Sequence, residues 1–246
     1  MNPVESRHAV LISRVAAGRW HALEDDLVVG RAEVSRRPDE RMFVSIDAWH
    51  DEAFDRLADA MLAELPRPLH TLVDETDLDL TARWQRAGFT VRRREWEYAV
   101  PTARDSALPP PGVTIKAFGR AEEAPLLALD RAIRAERWPD LPAEIFVPPA
   151  LDLSKYAVAA VDGHYVGLLR IAMVTRLPRI GLIAVRADQQ RRGIGRALLA
   201  HTLGALHGVG KTTASAEVSE SNVAATALFE GFDARRTGSN LELVVR

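Results

Sequence analysis

The residues with the clearest chemical potential form a basic, glycine-containing hexapeptide at positions 190–195, Gln-Arg-Arg-Gly-Ile-Gly. It follows an apolar run at 181–185 that is typical of a strand, and it opens a helical pattern at 196–203. The first turn of a helix leaves backbone N–H groups without partners, and the helix dipole adds positive potential there. Gly193 and Gly195 let the backbone approach an anion that a Cβ atom would keep away. The spacing therefore predicts a pyrophosphate-binding loop between a strand and a helix.

A second segment, Asn-Val-Ala-Ala-Thr-Ala-Leu-Phe-Glu at 222–230, begins a further helix downstream. The loop at 190–195 resembles the acyl-CoA-binding signature of the GCN5-related N-acetyltransferases (the GNAT family), Gln/Arg-x-x-Gly-x-Gly/Ala. Residues 222–230 resemble a later motif of that family, Asn-x-x-Ala-x-x-Leu-Tyr/Phe-Glu, in the family's order. The resemblance covers residues 113–246 strongly and 7–100 weakly. It implies an α/β fold of the α+β mixed-sheet type, with acetyl-CoA as acyl donor and no metal.

The resemblance also implies which residues hold the donor. The pantetheine amides of acetyl-CoA are expected to pair with the strand backbone at 183–185, and the pyrophosphate with the N–H groups at 191–195. Asn222 matches a family asparagine near the cofactor arm, although asparagine before a helix is equally a favoured N-cap. The cofactor-binding residues expected in this way are Ile183, Ala184, Val185, Gln190, Arg191, Arg192, Gly193, Ile194, Gly195, Arg196, Asn222 and Phe229.

The catalytic residues have several candidates. Phe229 stands where many family members have a tyrosine that protonates the leaving thiolate, so the acid must be water or another group such as Ser219. Amine acetylation needs a group that removes a proton, and Glu217 and Glu220 lie on the strand beside the expected thioester. The alternative is that both glutamates are plain surface residues. Trp138 is a further candidate for the wall of an acceptor pocket.

The composition limits the class of protein. The chain has 246 residues, of which 47% are apolar and 27% charged, as in ordinary globular proteins. A net charge of −2 gives no overall attraction to nucleic acid or to an anionic membrane. The chain contains no cysteine, which excludes disulfides, thiolate metal sites and a cysteine acyl-enzyme. No apolar run approaches the ~18 residues of a membrane span. We therefore expect a cytoplasmic protein with no nucleic-acid or membrane partner.

A stiff segment divides the sequence into two similar halves. Residues 101–112 contain three consecutive prolines followed by glycine, a composition typical of a linker. At one fixed offset, identical residues of the two halves align in the same order: Val73 with Val218, Glu75 with Glu220, Thr81 with Thr226, Ala82 with Ala227, Glu97 with Glu242 and Val100 with Val245. The sequence thus predicts tandem GNAT-like domains at 1–103 and 113–246, joined by a linker at 104–112.

The first half is expected to be truncated and degenerate. In the second half, Asp162-Gly163 between apolar runs predicts a hairpin, and a helical stretch precedes it. In the first half, too few residues precede the corresponding hairpin for such helices. The counterpart of the basic loop, at 47–54, has no glycine and three carboxylates, which would repel a pyrophosphate. The first domain is therefore predicted to be structural.

These features predict an N-acetyltransferase that transfers an acetyl group from acetyl-CoA to a primary amine by direct attack, with its active site in the C-terminal domain. The alternative is a catalytically silent acyl-CoA-binding or regulatory protein. A nucleotide-hydrolase loop is disfavoured because no Lys-Ser/Thr follows the glycines. The tandem architecture resembles mycothiol synthase-like acetyltransferases. The acceptor is expected to be a small-molecule or peptide amine, and the protein a monomer with pseudo-dimeric halves or a homodimer.

Overall fold

The structure is a computed structural model that describes residues 9–37, 40–103, 108–137, 151–174 and 177–246. The strands are β1 (Leu11–Ala16), β2 (Arg19–Glu24), β3 (Leu27–Arg36), β4 (Met42–Ala48), β5 (Leu69–Asp74), β6 (Thr90–Pro101), β7 (Val113–Lys116), β8 (Tyr156–Val161), β9 (His164–Val174), β10 (Leu177–Val185), β11 (Thr213–Ser219) and β12 (Arg235–Val245). The α-helices are α1 (Asp51–Glu64), α2 (Leu78–Arg86), α3 (Glu123–Arg137), α4 (Ile194–Gly208) and α5 (Val223–Glu230). This is the predicted α/β architecture with mixed strand directions.

The chain forms two compact units. Unit 1 contains Met1–Arg94 and Asn240–Arg246, and unit 2 contains Glu95–Ser239. The boundaries fall inside β6 and β12, so most of β6 belongs to unit 2 and the second half of β12 belongs to unit 1. Each unit therefore includes a strand segment from the other half of the sequence.

In unit 1 the strand order is β1-β2-β3-β4-β5-β12, with β4 and β5 parallel and the other neighbours antiparallel. One face carries α1, whose buried residues follow a helical period. Trp20, Phe54, Trp84 and Phe89 fill the core there, with edge-to-face contacts of Trp84 with both phenylalanines. Within the described residues, no helix precedes the first hairpin of unit 1.

In unit 2 the strand order is β6-β11-β10-β9-β8-β7, and α3 precedes β8. The predicted hairpin is confirmed: Asp162 and Gly163 both have positive φ, as a type I′ turn requires, between β8 and β9. A core that includes Leu198, Leu199 and Leu203 packs α4 against one sheet face, and a separate cluster with Leu126 and Ile133 packs α3. In the described parts of the chain, no helix is long and apolar enough to span a membrane.

Candidate cofactor site

The site begins where two parallel strands of unit 2 separate. β10 pairs with β11 only at Arg179–Ser215 and Ile180–Ala216. Beyond this fork β10 continues to Val185 beside β9, with a register irregularity between Ile180 and Leu182, whereas β11 continues beside β6. The β10 backbone after Ile180 therefore presents an edge that does not pair with β11. Such an edge can accept an extended chain with amide groups as an additional strand.

A cavity of about 310 Å³ lies at this end of β10. It brings together the end of β10, the basic loop, the start of α4 and one side of α5. The two sequence motifs that contribute to it, at 190–195 and 222–230, are separated by 26 residues. The lining residues are Ile183, Ala184, Val185, Gln189, Gln190, Arg191, Gly193, Ile194, Gly195, Arg196, Asn222, Ala224, Ala225 and Leu228. All the residues expected to bind the cofactor are among them except Arg192 and Phe229.

The loop before α4 has the backbone shape of an anion site. Arg191 has φ 65° and Gly193 has φ 78°, so left-handed residues alternate along the loop. Gly193 is the N-cap of α4, and as a glycine it offers no side chain to cap the helix start. The Gln190 side-chain amide donates to the Val185 carbonyl at 3.0 Å and ties the loop to the end of β10. Alternating handedness turns successive N–H groups toward one side, which favours a bound anion.

The side chains around this loop add positive charge and leave space. Arg191, Arg192 and Arg196 are exposed. The Arg196 guanidinium lies 5.1 Å from the Phe232 ring centroid, and Arg192 donates to the Gln189 side chain. A Cβ atom on Gly195 would meet its nearest neighbours at 3.8 and 3.9 Å, which is ordinary contact. The cavity is therefore bordered by positively charged side chains, and at the start of α4 its surface is formed by glycine, which leaves space for a ligand.

The second motif places Asn222 and Phe229 differently. The Asn222 Oδ1 atom accepts from the Ala225 N–H at 3.1 Å, so this residue is the N-cap of α5 while it also lines the cavity. Phe229 is 2% exposed and stacks on Tyr98 with ring centroids 6.1 Å apart, within the core. Leu228, the preceding residue, faces the cavity instead. The sequence motif contained both residues but did not indicate which one points outward.

The three catalytic candidates lie together at the end of β11, and none of them lines the cavity. Glu217 is the first residue past the fork, and its Oε2 atom lies 2.5 Å from Arg179 Nη2. The Ser219 hydroxyl lies 2.9 Å from the Ser221 hydroxyl, and Glu220 is exposed. Arg179 is the charged neighbour that sequence reasoning missed. Trp138 lies outside the described residues.

The three tyrosines of the chain do not line this cavity. The Tyr98 hydroxyl accepts from Arg236 Nε at 2.9 Å, and the Tyr165 hydroxyl accepts from the Glu122 N–H at 2.9 Å. Burial raises the pKa of the Tyr156 hydroxyl. None of the three is among the residues that line the cavity. A phenol is therefore not placed beside the described part of the site.

At the corresponding helix start in unit 1, the protein's own side chains already make the contacts that an anion would make. His50 is the N-cap of α1, and its Nδ1 atom accepts from the Ala53 N–H at 3.2 Å. Asp51, in the first turn, pairs with Arg83 at 2.7 Å and with Arg86 at 3.4 Å. The helix dipole is thus compensated by the protein's own side chains.

We therefore expect one CoA to bind per chain. Isothermal titration of the intact protein with CoA should saturate at one equivalent, because α4 begins at a glycine beside a basic loop, whereas α1 is capped by His50 and has Asp51 in its first turn. Replacing Asp51 with Ala should leave this stoichiometry unchanged. Saturation at two equivalents would contradict the assignment of the site to unit 2 alone.

Comparisons with known proteins match part of the sequence and the overall fold. Residues 124–233 match the model of the Acetyltransferase (GNAT) family. A GCN5-related N-acetyltransferase from Sphaerobacter thermophilus is similar in structure, with a TM-score of 0.70 and 16% identity over 95% of this chain and 82% of that chain. No curated protein matches the sequence.

Two further solved structures share the fold. A tandem GNAT protein from the clavulanic acid biosynthesis pathway has a TM-score of 0.67 and 12% identity, over 92% of this chain and 82% of that chain. A GCN5-related N-acetyltransferase from Kribbella flavida has a TM-score of 0.61 and 17% identity, over 96% and 89%. These likenesses confirm the GNAT fold, and the tandem protein fits a two-domain arrangement.

Proposed function

We propose that this protein is an N-acetyltransferase that transfers the acetyl group of acetyl-CoA to a primary amine, with its active site in the C-terminal domain. The observation that carries the proposal is a single cavity that joins the open edge of β10 to the uncapped start of α4. In this proposal residues 1–103 form a structural domain and residues 113–246 the acetyl-CoA domain, joined by the linker at 104–112.

Each part of the cavity suits one part of the donor. The backbone of Ile183–Val185 offers hydrogen-bonding groups to the pantetheine amides. The N–H groups at the start of α4 and the neighbouring arginines offer partners to the pyrophosphate. Asn222 caps α5 through Oδ1, which leaves its side-chain NH₂ as a donor toward the cofactor arm. The thioester end is then expected toward the fork.

The reaction is an acyl transfer. The amine nitrogen attacks the thioester carbonyl carbon, the new C–N bond forms, the C–S bond breaks, and CoA leaves as a thiolate. Glu217 at the fork is our candidate for the group that takes the proton from the ammonium, with Glu220 as the alternative. Because the chain has no cysteine, a cysteine acyl-enzyme is excluded and direct attack is proposed. A thiol pKa near ~8.5 lets the thiolate depart without an acid, with Ser219 or water as the available proton donors.

The pH dependence of kcat should reflect the presence of Phe229 where a tyrosine would supply an acidic hydroxyl. With Phe229 in the core, kcat should rise as the amine or its base loses a proton and then stay level, because no tyrosine hydroxyl protonates the thiolate. Stopped-flow measurement of thiol release at saturating substrates across the alkaline range tests this. A descending limb near pH ~10 that is lost on replacing Tyr156 or Tyr165 with Phe would contradict it.

The test of the function is a thioester-cleavage screen. Free thiol is followed with acetyl-CoA and panels of small-molecule amines, polyamines, amino-sugars and peptide N-termini. Product formation should depend on both substrates, and acetylated amine should appear in equal amount to CoA. Tight CoA binding without turnover of any amine would favour the alternative, a catalytically silent acyl-CoA-binding protein. Displacement of CoA by ATP would favour a nucleotide site instead.

A further inference from the structure

One residue of the proline-rich linker packs directly on the cofactor loop. A Cβ atom built on Gly193 would lie 3.2 Å from Pro110 Cγ, so the proline ring covers the position that a side chain would occupy. Pro110 is half-buried, whereas its neighbours Pro109 and Pro111 are exposed. Pro110 is therefore in close contact with the residue that begins α4.

The linker holds Pro110 firmly in this place. The Pro110 carbonyl accepts from the Val113 N–H at 3.0 Å, and Gly112 has φ 76°. Pro111-Gly112 at the centre of a four-residue turn has the type II signature, which proline and glycine both favour. Val113 is buried in the α4-side core and pairs with Val161 of β8. The turn therefore ties Pro110 to the sheet of unit 2.

The loop it contacts requires such support. Arg191 adopts a left-handed conformation that non-glycine residues seldom adopt, and such conformations persist when surrounding contacts fix them. Gly193, the N-cap of α4, has no side chain with which to cap the helix. The side-chain contacts of the described loop include Gln190 to the Val185 carbonyl and Arg192 to Gln189. Pro110 adds an apolar contact to Gly193 from the side of the linker.

We propose that Pro110 is a positioning residue of the cofactor site. Its ring fixes Gly193 in the left-handed conformation and so keeps the N–H groups of the loop directed at the pyrophosphate before the donor arrives. A loop that is ordered in advance loses less conformational entropy on binding, and affinity rises accordingly. The linker is then a functional part of the acetyl-CoA domain in addition to being a spacer. This inference rests on the proposed function.

The experiment compares Pro110→Ala with Pro109→Ala, an exposed proline one position earlier. The Kd for CoA is measured by calorimetry, and KM for acetyl-CoA and kcat by thiol release. We expect P110A to raise both Kd and KM about three- to tenfold with kcat within about twofold, since the bound loop is unchanged once saturated. P109A should match the native protein in all three.

A second variant keeps the proposal testable if P110A loses stability. Pro110→Val retains γ-carbons that can contact Gly193, so it should recover part of the lost affinity. Equal CoA affinity of the native protein and P110A at equal Tm would overturn the inference and leave the proposed function intact. Failure of the native protein to bind CoA would instead overturn the proposed function.

Discussion

Replacing Glu242 with Gln is expected to lower the free energy of unfolding by about 3–5 kcal/mol, the cost of removing one partner from a buried charge cluster. Glu242 is fully buried in unit 1. Its carboxylate oxygens lie 3.2 Å from Arg41 Nη1, 3.0 Å from Arg92 Nη1 and 2.6 Å from Arg93 Nε. His70 Nδ1 lies at 2.8 Å. The variant removes the anion around which the three arginines are arranged.

The same cluster makes the free energy of unfolding of unit 1 depend on pH in the acid range. Burial raises the pKa of the Glu242 carboxyl, but the hydrogen bond with His70 and the charges of Arg93, Arg41 and Arg92 outweigh it and lower the pKa to about 2. Because this pKa lies below that of an unfolded glutamate, near ~4.3, the unfolded state binds the proton first. The stabilisation is therefore complete above ~4.3 and is lost as the pH falls toward 2.

Urea unfolding followed by tryptophan fluorescence measures both effects, because Trp20 and Trp84 are buried in the core of unit 1. Glu33→Gln is the matched control: its carboxylate is 59% exposed and lies 3.9 Å from Arg19, so the change should stay within about 0.5 kcal/mol. The free energy of unfolding of E242Q should also change much less than that of the native protein as the pH falls from ~4 toward 2. Equal unfolding midpoints for E242Q and E33Q would show that the cluster is not stabilising.

The strand, loop and helix start that form the candidate cofactor site could be predicted from sequence because their determinants are local. Gly193 takes the left-handed φ at which glycine has no steric cost, and the helix starts at the next residue. The hairpin at Asp162-Gly163 is local for the same reason. A strand, a turn and a helix start each depend on a few adjacent residues, so their order along the chain was sufficient.

Features that depend on distant pairing could not be predicted. The last strand of the first half contributes Glu95–Pro101 to unit 2, where Glu97 pairs with Glu217 of β11. The contact of Arg179 with Glu217 arises only because β10 and β11 are parallel neighbours. Hydrophobic periodicity carries no information about either pairing.

The burial of Phe229 could not be predicted from the sequence for a different reason. α5 is apolar on nearly all sides, from Val223 to Phe229, so its pattern does not indicate which face is inside. The cap of α1 was also missed, because the side chain that bonds to the helix start is the His50 imidazole. Histidine is not among the preferred N-cap residues.

The largest effect on the proposed activity is expected from Gly195→Asp. A carboxylate in the first turn of α4 would face the pyrophosphate, and two like charges ~5 Å apart at an effective dielectric constant of ~20 repel by about 3 kcal/mol. The Kd for CoA should therefore rise about 100-fold or more. Folding should not suffer, because a Cβ atom at this position makes only ordinary contacts, and an acidic residue stabilises the start of a helix.

Weaker CoA binding without loss of stability is the result expected of a cofactor site and not of a loop with a purely structural role. Gly195→Asn has nearly the same shape without the charge, so it should lose far less affinity than G195D, and added salt should narrow the gap between them. Gly193→Asp is a poorer probe, because φ 78° and the Pro110 ring would strain any side chain. Calorimetry with CoA and thermal unfolding of both Gly195 variants provide the comparison. Equal Kd values for G195D and G195N would show that the CoA phosphates do not bind at the start of α4. The cavity between β10 and α4 would then no longer support the proposed function.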